Sequence, residues 1–399
     1  MSGGSVVEGI SDKQVANGPV RIRINKTGSS PAEHRLDGQR IPAGVWLDVT
    51  DPGYHELRSV ERPLGQAGEH ARLVRFVIQS ARGQAEWALP PWTPLPPVAS
   101  GQTLEPNAGD TTRLELFMPS HFPAGLTVPV VAMVMDAQTR RVNFNGPLEG
   151  GAGITLKRGV GSGVLPLDET KTISFNAGPL SAENTITIDN AAWQAVQGEI
   201  KKTTTWKPDA RVHVTSSLTV AKGATLIIRS GCVIKLAPKV EVTVHGRLIV
   251  DGIKAAPVVF CPESPDTPWG GVTLRGATAA VEANWAFVTG SGGNPWWFVA
   301  NSVDGTHRNE QAAFFLGEKA SGAFSDCFFI NNAGQALHGE DALLTLDRCV
   351  VQRCQTVGQF NGGSVAIRDS VLLDFPNDDG TFADGDNDAL YFTLGKHEI

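Results

Sequence analysis

Short apolar runs, each bounded by one or two turn residues, fill the second half of the chain. From residue 205 the segments "SLTV", "ATLII", "CVIKL", "VEVTV", "RLIV" and "PVVF" recur every six to ten residues, and no 3.6-residue helical period appears. The runs are rich in β-branched residues and lie too close together for hairpins of ordinary length. Further on the spacing becomes regular. Cys327 in "SDCFFINN", Cys349 in "DRCVVQRC" and Ser370 in "RDSVLLDF" stand 22 and 21 residues apart, each after a matching apolar run ("GAFSD", "ALLTLDR", "SVAIRD"). Trp285 in "EANWAFVTG" lies 42 residues before Cys327, twice the same step. A fixed period of this length with three short strands per period predicts a parallel β-helix. One coil cannot bury its apolar face alone, so coils stack and like residues align in columns.

The last run, "ALYFTLGKHEI", matches "ALLTLDRC" as one more coil, with Ile399 near the position of Leu346. The expectation is a β-helix that is uncapped at its C-terminal face and continues into further coils or domains of a longer protein.

The first half has a different texture. From "PVRIRINKTG" to "RLVRFVIQSARGQAEWALPPW", short alternating runs separated by Gly, Pro and Asp predict strands with tight turns. "LPPWTPLPPVASG" is proline-rich and predicts a stiff extended segment. Strand and turn then alternate through "TRLELFMPSHFPAGLTVPVVAMVMDAQTRRVNFNG", the pattern of a small immunoglobulin-like β-sandwich. The expected organisation is a flexible lead over 1–18, an N-terminal β-domain over 19–100, the sandwich over 101–185, a linker over 186–204 and the β-helix over 205–399.

Composition narrows the function classes. The 44 glycines and 25 prolines suit a turn-rich all-β fold. The formal net charge of −7 comes with no basic stripe, which argues against nucleic acid as a partner. No stretch approaches the ~18 consecutive apolar residues of a membrane helix, so no membrane insertion is expected. The opening "MSGGSVVEGISDKQ" lacks the basic start and apolar core of a secretory signal. Cys232, Cys261, Cys327, Cys349 and Cys354 show no C-x-x-C spacing and sit in apolar runs, as buried packing residues do.

The stretch "LTVAKGATLIIRSGCVIKL…VTVHGRLIVDGIKAAPVVF…WGGVTL" resembles the opening coils of bacterial right-handed parallel β-helix repeat proteins, the pectate-lyase-like superfold. The resemblance rests on Gly223 to Leu226, Ser230 and Gly231, Gly246 to Gly252, and Trp269 to Gly271. It implies the fold of residues 205–399. The segments around 20–180 look similar to accessory β-domains that precede such helices in large surface proteins. That context implies export, to the cell surface or beyond. The low charge and mixed surface suit a rigid coil whose flank binds an elongated polymer, so the expected partner is an extracellular polysaccharide. The fold hosts both non-catalytic binders and polysaccharide-cleaving enzymes, so it does not choose between them.

Candidate chemistry collects near the end of the chain. At the same step before each anchor stand His338, Gln359 and Tyr391, and two residues further on stand Glu340, Asn361 and Thr393. Strand side chains alternate, so both sets point to one face. The loop "NDDGTFADGDNDAL" brings Asp384, Asp386 and Asp388 beside them. His338, Glu340, Asp386 and Asp388 are the candidate acid/base residues of a polysaccharide lyase or glycoside hydrolase. Asp384, Asp386 and Asp388 are candidate calcium ligands, although an EF-hand is excluded because Ala389 and Gly395 stand where its Gly and Glu belong. A solvated turn, with Asp and Asn bonding their own backbone, is the structural alternative. Trp296 and Trp297, with Gln359 and Tyr391, are candidate sugar contacts, against the alternative that the tryptophans pack under a loop. The leading expectation is a non-catalytic binding or scaffold module, with a carbohydrate-active enzyme as the alternative.

Overall fold

A computed structural model describes residues 6–11, 14–16, 19–25, 32–36, 39–50, 53–61, 70–78, 113–137, 139, 141–151, 153–294, 297–301, 311–317, 319–373, 390–393 and 395–398. The chain divides into two compact units. One comprises residues 1–87 with 295–310 and 378–387; the other holds the rest.

In the first unit, Val6–Glu8, Val20–Asn25 and Leu47–Val49 form a three-stranded antiparallel sheet. A five-stranded sheet runs in the order Gln14–Ala16, His70–Ile78, Gly53–Glu61, Ala32–Leu36, Gln39–Ile41. Alternating apolar positions of both (Ile22, Ile24, Val49, Leu57, Val74, Phe76, Ile78) make one core. Val6–Glu8 and Gln14–Ala16 fall within the stretch 1–18 expected as a flexible lead, yet both are paired strands of these sheets.

The second unit joins a sandwich to a β-helix. Residues 113–189 contribute two three-stranded sheets, Val160–Pro166/Thr127–Met135/Arg113–Phe117 and His121–Pro123/Leu180–Asp189/Lys171–Ala177. Beyond them each coil lays one strand on each of three faces. The first face stacks Val233–Leu236, Val258–Pro262, Ala286–Thr289, Phe328–Asn332, Val350–Cys354 and Val371–Leu373. The second stacks Val242–Val244, Val272–Leu274, Phe314–Leu316, Leu337–Glu340, Gly358–Asn361 and Leu390–Thr393. The third stacks Thr225–Arg229, Arg247–Asp251, Ala280–Asn284, Ser321–Ser325, Leu343–Asp347, Ser364–Arg368 and Lys396–Glu398. Every pairing in the three stacks is parallel. The longer strand Arg211–Val220 belongs to both the first and second faces.

Inward residues form the columns that the repeat predicts. Leu226, Leu248, Val281, Leu344 and Val365 are all buried along one column, and Ile228, Val250, Ala283, Phe324, Leu346 and Ile367 along the next. The corner before the first face is turned by a residue with positive φ in four successive coils: Trp285 (49°), Asp326 (52°), Arg348 (52°) and Asp369 (48°). One left-handed residue bends the strand sharply without breaking the ladder on either side, and Asp tolerates that conformation better than most residues. Corner packing also fixes Gly246 and Gly252. A Cβ on Gly246 would stand 2.2 Å from the Ala224 carbonyl oxygen, and one on Gly252 would stand 2.2 Å from that of Trp285.

Three expectations need adjustment. The 42 residues between Trp285 and Cys327 are one coil rather than two, because Ala286–Thr289 pairs directly with Phe328–Asn332. An insertion leaves the coil after Thr289 and returns at Phe314, so the ladder continues while the residue count doubles. The segment 186–204 is not a free linker: the sandwich strand runs to Asp189, and Gln194–Ile200 pairs in parallel with Arg211–Val220 as part of the first coil. The final run does form a coil, Leu390–Thr393 on Gly358–Asn361 and Lys396–Glu398 on Ser364–Arg368, while Ile399 lies outside the described residues.

The sandwich and the β-helix share a core. Val233, Val259, Phe287, Phe328 and Val350 align on the outer side of the first face, where a solitary β-helix would meet water. Here they are buried together with Leu114, Phe117, Val130 and Val160 of the sandwich. Phe328 stacks on Phe287 at 4.6 Å between ring centroids and meets Phe117 at 5.3 Å. Arg211, its side chain 2 % exposed, ties the two parts through Asp189 at 2.5 Å and through the carbonyl of Gly231 at 2.9 Å. Lys254 pairs with Glu115, and Ser120 donates to the Ala255 carbonyl at 3.1 Å.

Candidate functional site

The two columns expected near the chain end lie in register on the second face. His338, Gln359 and Tyr391 are successive partners, and so are Glu340, Asn361 and Thr393. Their side chains form one polar ladder. His338 Nε2 lies 2.7 Å from Glu340 Oε1. Asn361 Nδ2 donates to the same oxygen at 2.8 Å, and Asn361 Oδ1 accepts from Gln359 Nε2 at 3.2 Å and from Thr393 Oγ1 at 2.8 Å.

Burial decides what the ladder does chemically. The His338 side chain is 0 % exposed, whereas that of Glu340 is 29 % exposed. Its ring stacks on Phe315 at 5.4 Å, the residue one coil earlier in the same column. Burial pushes the imidazole below its usual value, and this outweighs the opposing pull of the Glu340 carboxylate. His338 Nδ1 sits 3.2 Å from the Gln335 side-chain oxygen, and the Gln335 amide nitrogen is buried without a partner. Turning that amide over lets its NH₂ donate to Nδ1 while Nε2–H donates to Glu340, and a neutral imidazole is then fully satisfied.

The remaining candidates divide. Gln359 is buried and Tyr391 half-buried. Trp297 opens the short helix Trp297–Ala300 and is 1 % exposed, its ring edge-on to Phe298 at 5.1 Å. At that exposure it offers no open ring face to a sugar. Trp296, Asp384, Asp386 and Asp388 lie outside the described residues. The ladder brings His338, Glu340 and Gln359 together; of the four acid/base candidates, only His338 and Glu340 meet among the described residues.

Sequence reasoning missed a surface on the third face. A shallow groove of about 390 Å³ runs over four coils, from Ala280 and Glu282 across Ser321 and Ala323, then Leu343 and Thr345, to Ser364 and Ala366. Ala280, Ser321, Leu343 and Ser364 form one register column, and Glu282, Ala323, Thr345 and Ala366 the next. Leu343 is 57 % exposed there. The available signal was the small outward residues at matching positions of successive coils, Ala280, Ser321 and Ser364 in one column and Ala323 and Ala366 in the other.

No curated protein matches the chain in sequence. Among solved structures, a β-glucuronidase from Parabacteroides merdae aligns with 47 % of this chain and 24 % of its own, at 12 % identity and a TM-score of 0.16. Bacteroides uniformis β-glucuronidase 3 aligns with 46 % of this chain and 25 % of its own, at 10 % identity and a TM-score of 0.16. Fibronectin(III)-like modules of Clostridium thermocellum CbhA align with 46 % of this chain and 93 % of their own, at 8 % identity and a TM-score of 0.15. The alignments thus span about a quarter of each glucuronidase. Residues 198–291 match the family described as a pectate-lyase-like β-helix domain. That segment carries the first coils of the stacked parallel strands that make the C-terminal half of this chain a parallel β-helix.

Proposed function

We propose that this chain is a module of a secreted or cell-surface protein that binds an extended polysaccharide along its β-helix, or displays neighbouring coils and domains, without cleaving its ligand. The observation that carries the reading is the groove on the third face. Its floor repeats once per coil in two register columns, and four coils at ~4.8 Å spacing span about 14 Å, a length suited to a polymer rather than to one small molecule. Support also comes from the polar ladder. General acid/base catalysis needs a group that exchanges protons with substrate, and His338 is sealed inside with its ring stacked on Phe315.

The second reading is a carbohydrate-active enzyme, a lyase or hydrolase. One observation favours it: Glu340 is partly exposed and 2.7 Å from an imidazole. Asp386 and Asp388 as acid/base residues, and Asp384, Asp386 and Asp388 as calcium ligands, belong to this reading. Trp296 remains a proposed sugar contact in either. A glycan array and a depolymerisation screen, each with and without calcium, separate the two. Retention of a polymer with no product release supports the binding module. Product release that disappears in Glu340→Ala and Asp386→Ala establishes the enzyme instead.

A further inference from the structure

Among the described residues four large apolar side chains are exposed, Val45, Trp46, Ile253 and Leu343, and the first two are neighbours in the first unit. They follow a turn and lead into the strand Leu47–Val49. The Gly44 N–H ties that turn to the adjacent strand by donating to the Ile24 carbonyl at 2.8 Å. Trp46 is 38 % exposed, where Trp297 is sealed.

Register explains what surrounds the indole. Arg21 is the partner of Asp48, Ile22 of Leu47, and Glu8 of Arg23. Ile22 and Ile24 are buried in the core, so the alternate residues Arg21, Arg23 and Asn25 point outward. One step past the Ile22–Leu47 pair, Trp46 falls beside Arg23 on that outer side. The Arg23 guanidinium lies 4.6 Å from the indole centroid and that of Arg21 lies 5.8 Å from it. Contacts within ~6 Å are attractive, and here they orient the ring. The cations are held in turn. Arg23 Nη2 donates to Glu8 Oε2 at 2.5 Å, Asn25 Nδ2 donates to Glu8 Oε1 at 2.6 Å, and Arg21 Nε lies 3.3 Å from Asp48 Oδ1. One outer sheet face thus gathers an indole, two guanidiniums matched by two carboxylates, and an amide.

We propose that this platform binds an uncharged saccharide, with the indole against the C–H face of a sugar ring and Arg21, Asp48, Glu8 and Asn25 around its hydroxyls. The site is separate from the groove and needs nothing of the groove reading. A sugar ring has an apolar face and a rim of hydroxyls that both donate and accept. A guanidinium only donates, a carboxylate only accepts and an amide does both, so the rim is served in every role. A charged ligand would meet as many like charges as unlike ones. A protein partner fits less well, because one partly open indole and one valine fall short of the ~300–600 Å² apolar patches that commonly mark docking surfaces.

Affinity electrophoresis of the whole chain tests this, in gels holding hydroxyethyl cellulose, dextran, galactomannan or xylan, with carboxymethyl cellulose as the charged counterpart. At least one neutral polysaccharide should retard the chain and shift its tryptophan emission to shorter wavelength. Trp46→Ala should weaken that retention about tenfold or more, the usual worth of an anchoring aromatic. Trp46→Phe should keep part of the binding and lose the emission shift. Asp48→Asn should weaken it about threefold or more, through the lost acceptor and ion pair. Ile253→Ala, at an exposed apolar residue of the second unit, should leave it unchanged.

No retention by any neutral polysaccharide, an equal loss in Ile253→Ala, or retention that collapses between ~0.05 and ~0.5 M salt overturns the proposal. Retention that survives Trp46→Ala but is lost in Ala323→Arg, which fills the groove, overturns it and supports the groove reading. Loss in Trp46→Ala with none in Ala323→Arg supports the platform and counts against the groove. Self-association that Trp46→Ala abolishes in sedimentation, without polysaccharide binding, makes the patch a protein contact and overturns the saccharide site.

Discussion

Phe328→Ala measures how much the accessory sandwich contributes to the β-helix. Phe328 is on the outer side of the first face, yet it is only 2 % exposed. Its ring stacks on Phe287 at 4.6 Å and meets Phe117 of the sandwich at 5.3 Å and Trp285 at 6.2 Å. Removing a buried phenylalanine costs about 3–5 kcal/mol, of which ring pairs supply ~0.5–1.5 kcal/mol each. Phe328→Leu keeps much of the apolar volume and should cost about 1–2 kcal/mol. The internal control is Leu343→Ala, an apolar strand residue on the third face that is 57 % exposed. It should change stability by no more than about 0.5 kcal/mol. Urea unfolding followed by tryptophan fluorescence and far-ultraviolet circular dichroism reads all three. A loss below about 1 kcal/mol for Phe328→Ala, or equal losses at Phe328 and Leu343, would refute a shared core between sandwich and coil.

Further outcomes follow from single sites. Burial of Asp189 acts to raise its pKa, but the Arg211 hydrogen bond, the Ala191 N–H and the charges of Arg211 and His121 together hold the carboxyl below its usual value. Its contribution is therefore present above the unfolded carboxylate pKa near ~3.9 and is lost as pH falls through the lower folded value. Asp189→Asn, which leaves the buried Arg211 without its carboxylate, should cost about 2–4 kcal/mol at neutral pH and make acid unfolding less steep. His338 has a folded pKa depressed by burial, so it favours the native state fully above the unfolded value of ~6.5 and less at each step below it. His338→Gln should remove part of the stability loss between about pH 7 and pH 5, read from melting temperatures across that range. Gly246→Ala forces a Cβ to 2.2 Å from one carbonyl oxygen and 2.5 Å from another, and should lower the melting midpoint by several degrees or abolish soluble expression. All five cysteines are buried free thiols, and burial pushes Cys261 and Cys354 up to about 12. A thiol reagent should label none in the native protein and all five after denaturation.

The period was legible because each coil repeats the same burial problem. Cys327, Cys349 and Ser370 stand one before the partners Phe328, Val350 and Val371, as their spacing implied. The His338–Gln359–Tyr391 and Glu340–Asn361–Thr393 columns were readable for the same reason, since register carries every outward residue along with the inward ones. What composition alone conceals is where a coil swells. The insertion after Thr289 doubles the residue count without adding a coil, and only the pairing of Phe287 with Phe328 reveals it. Burial on the outer side was likewise hidden. Val259, Phe287 and Phe328 follow the continuous apolar runs of a strand buried on both faces, but nothing local names the sandwich as the cover. Trp297 and His338 show the same limit: a sequence gives the side of a strand, whereas exposure depends on what packs over it.

In-register stacking of the coils underlies both the groove and the polar ladder, and a zero-length crosslink tests it most directly. Thr345 and Ala366 are register partners on the outer side of adjacent third-face strands, and Ala323 lies one coil before Thr345. Partners on neighbouring strands sit ~4.8 Å apart, within the ~4.4–6.8 Å between Cα atoms that a disulfide spans, whereas residues two coils apart are about 10 Å away. Under mild oxidation Thr345→Cys with Ala366→Cys should form an intramolecular disulfide, read as the loss of two hydrogens in intact mass, and Ala323→Cys with Ala366→Cys should not. Failure of the first pair, or equal oxidation of both, would contradict the stacked coil.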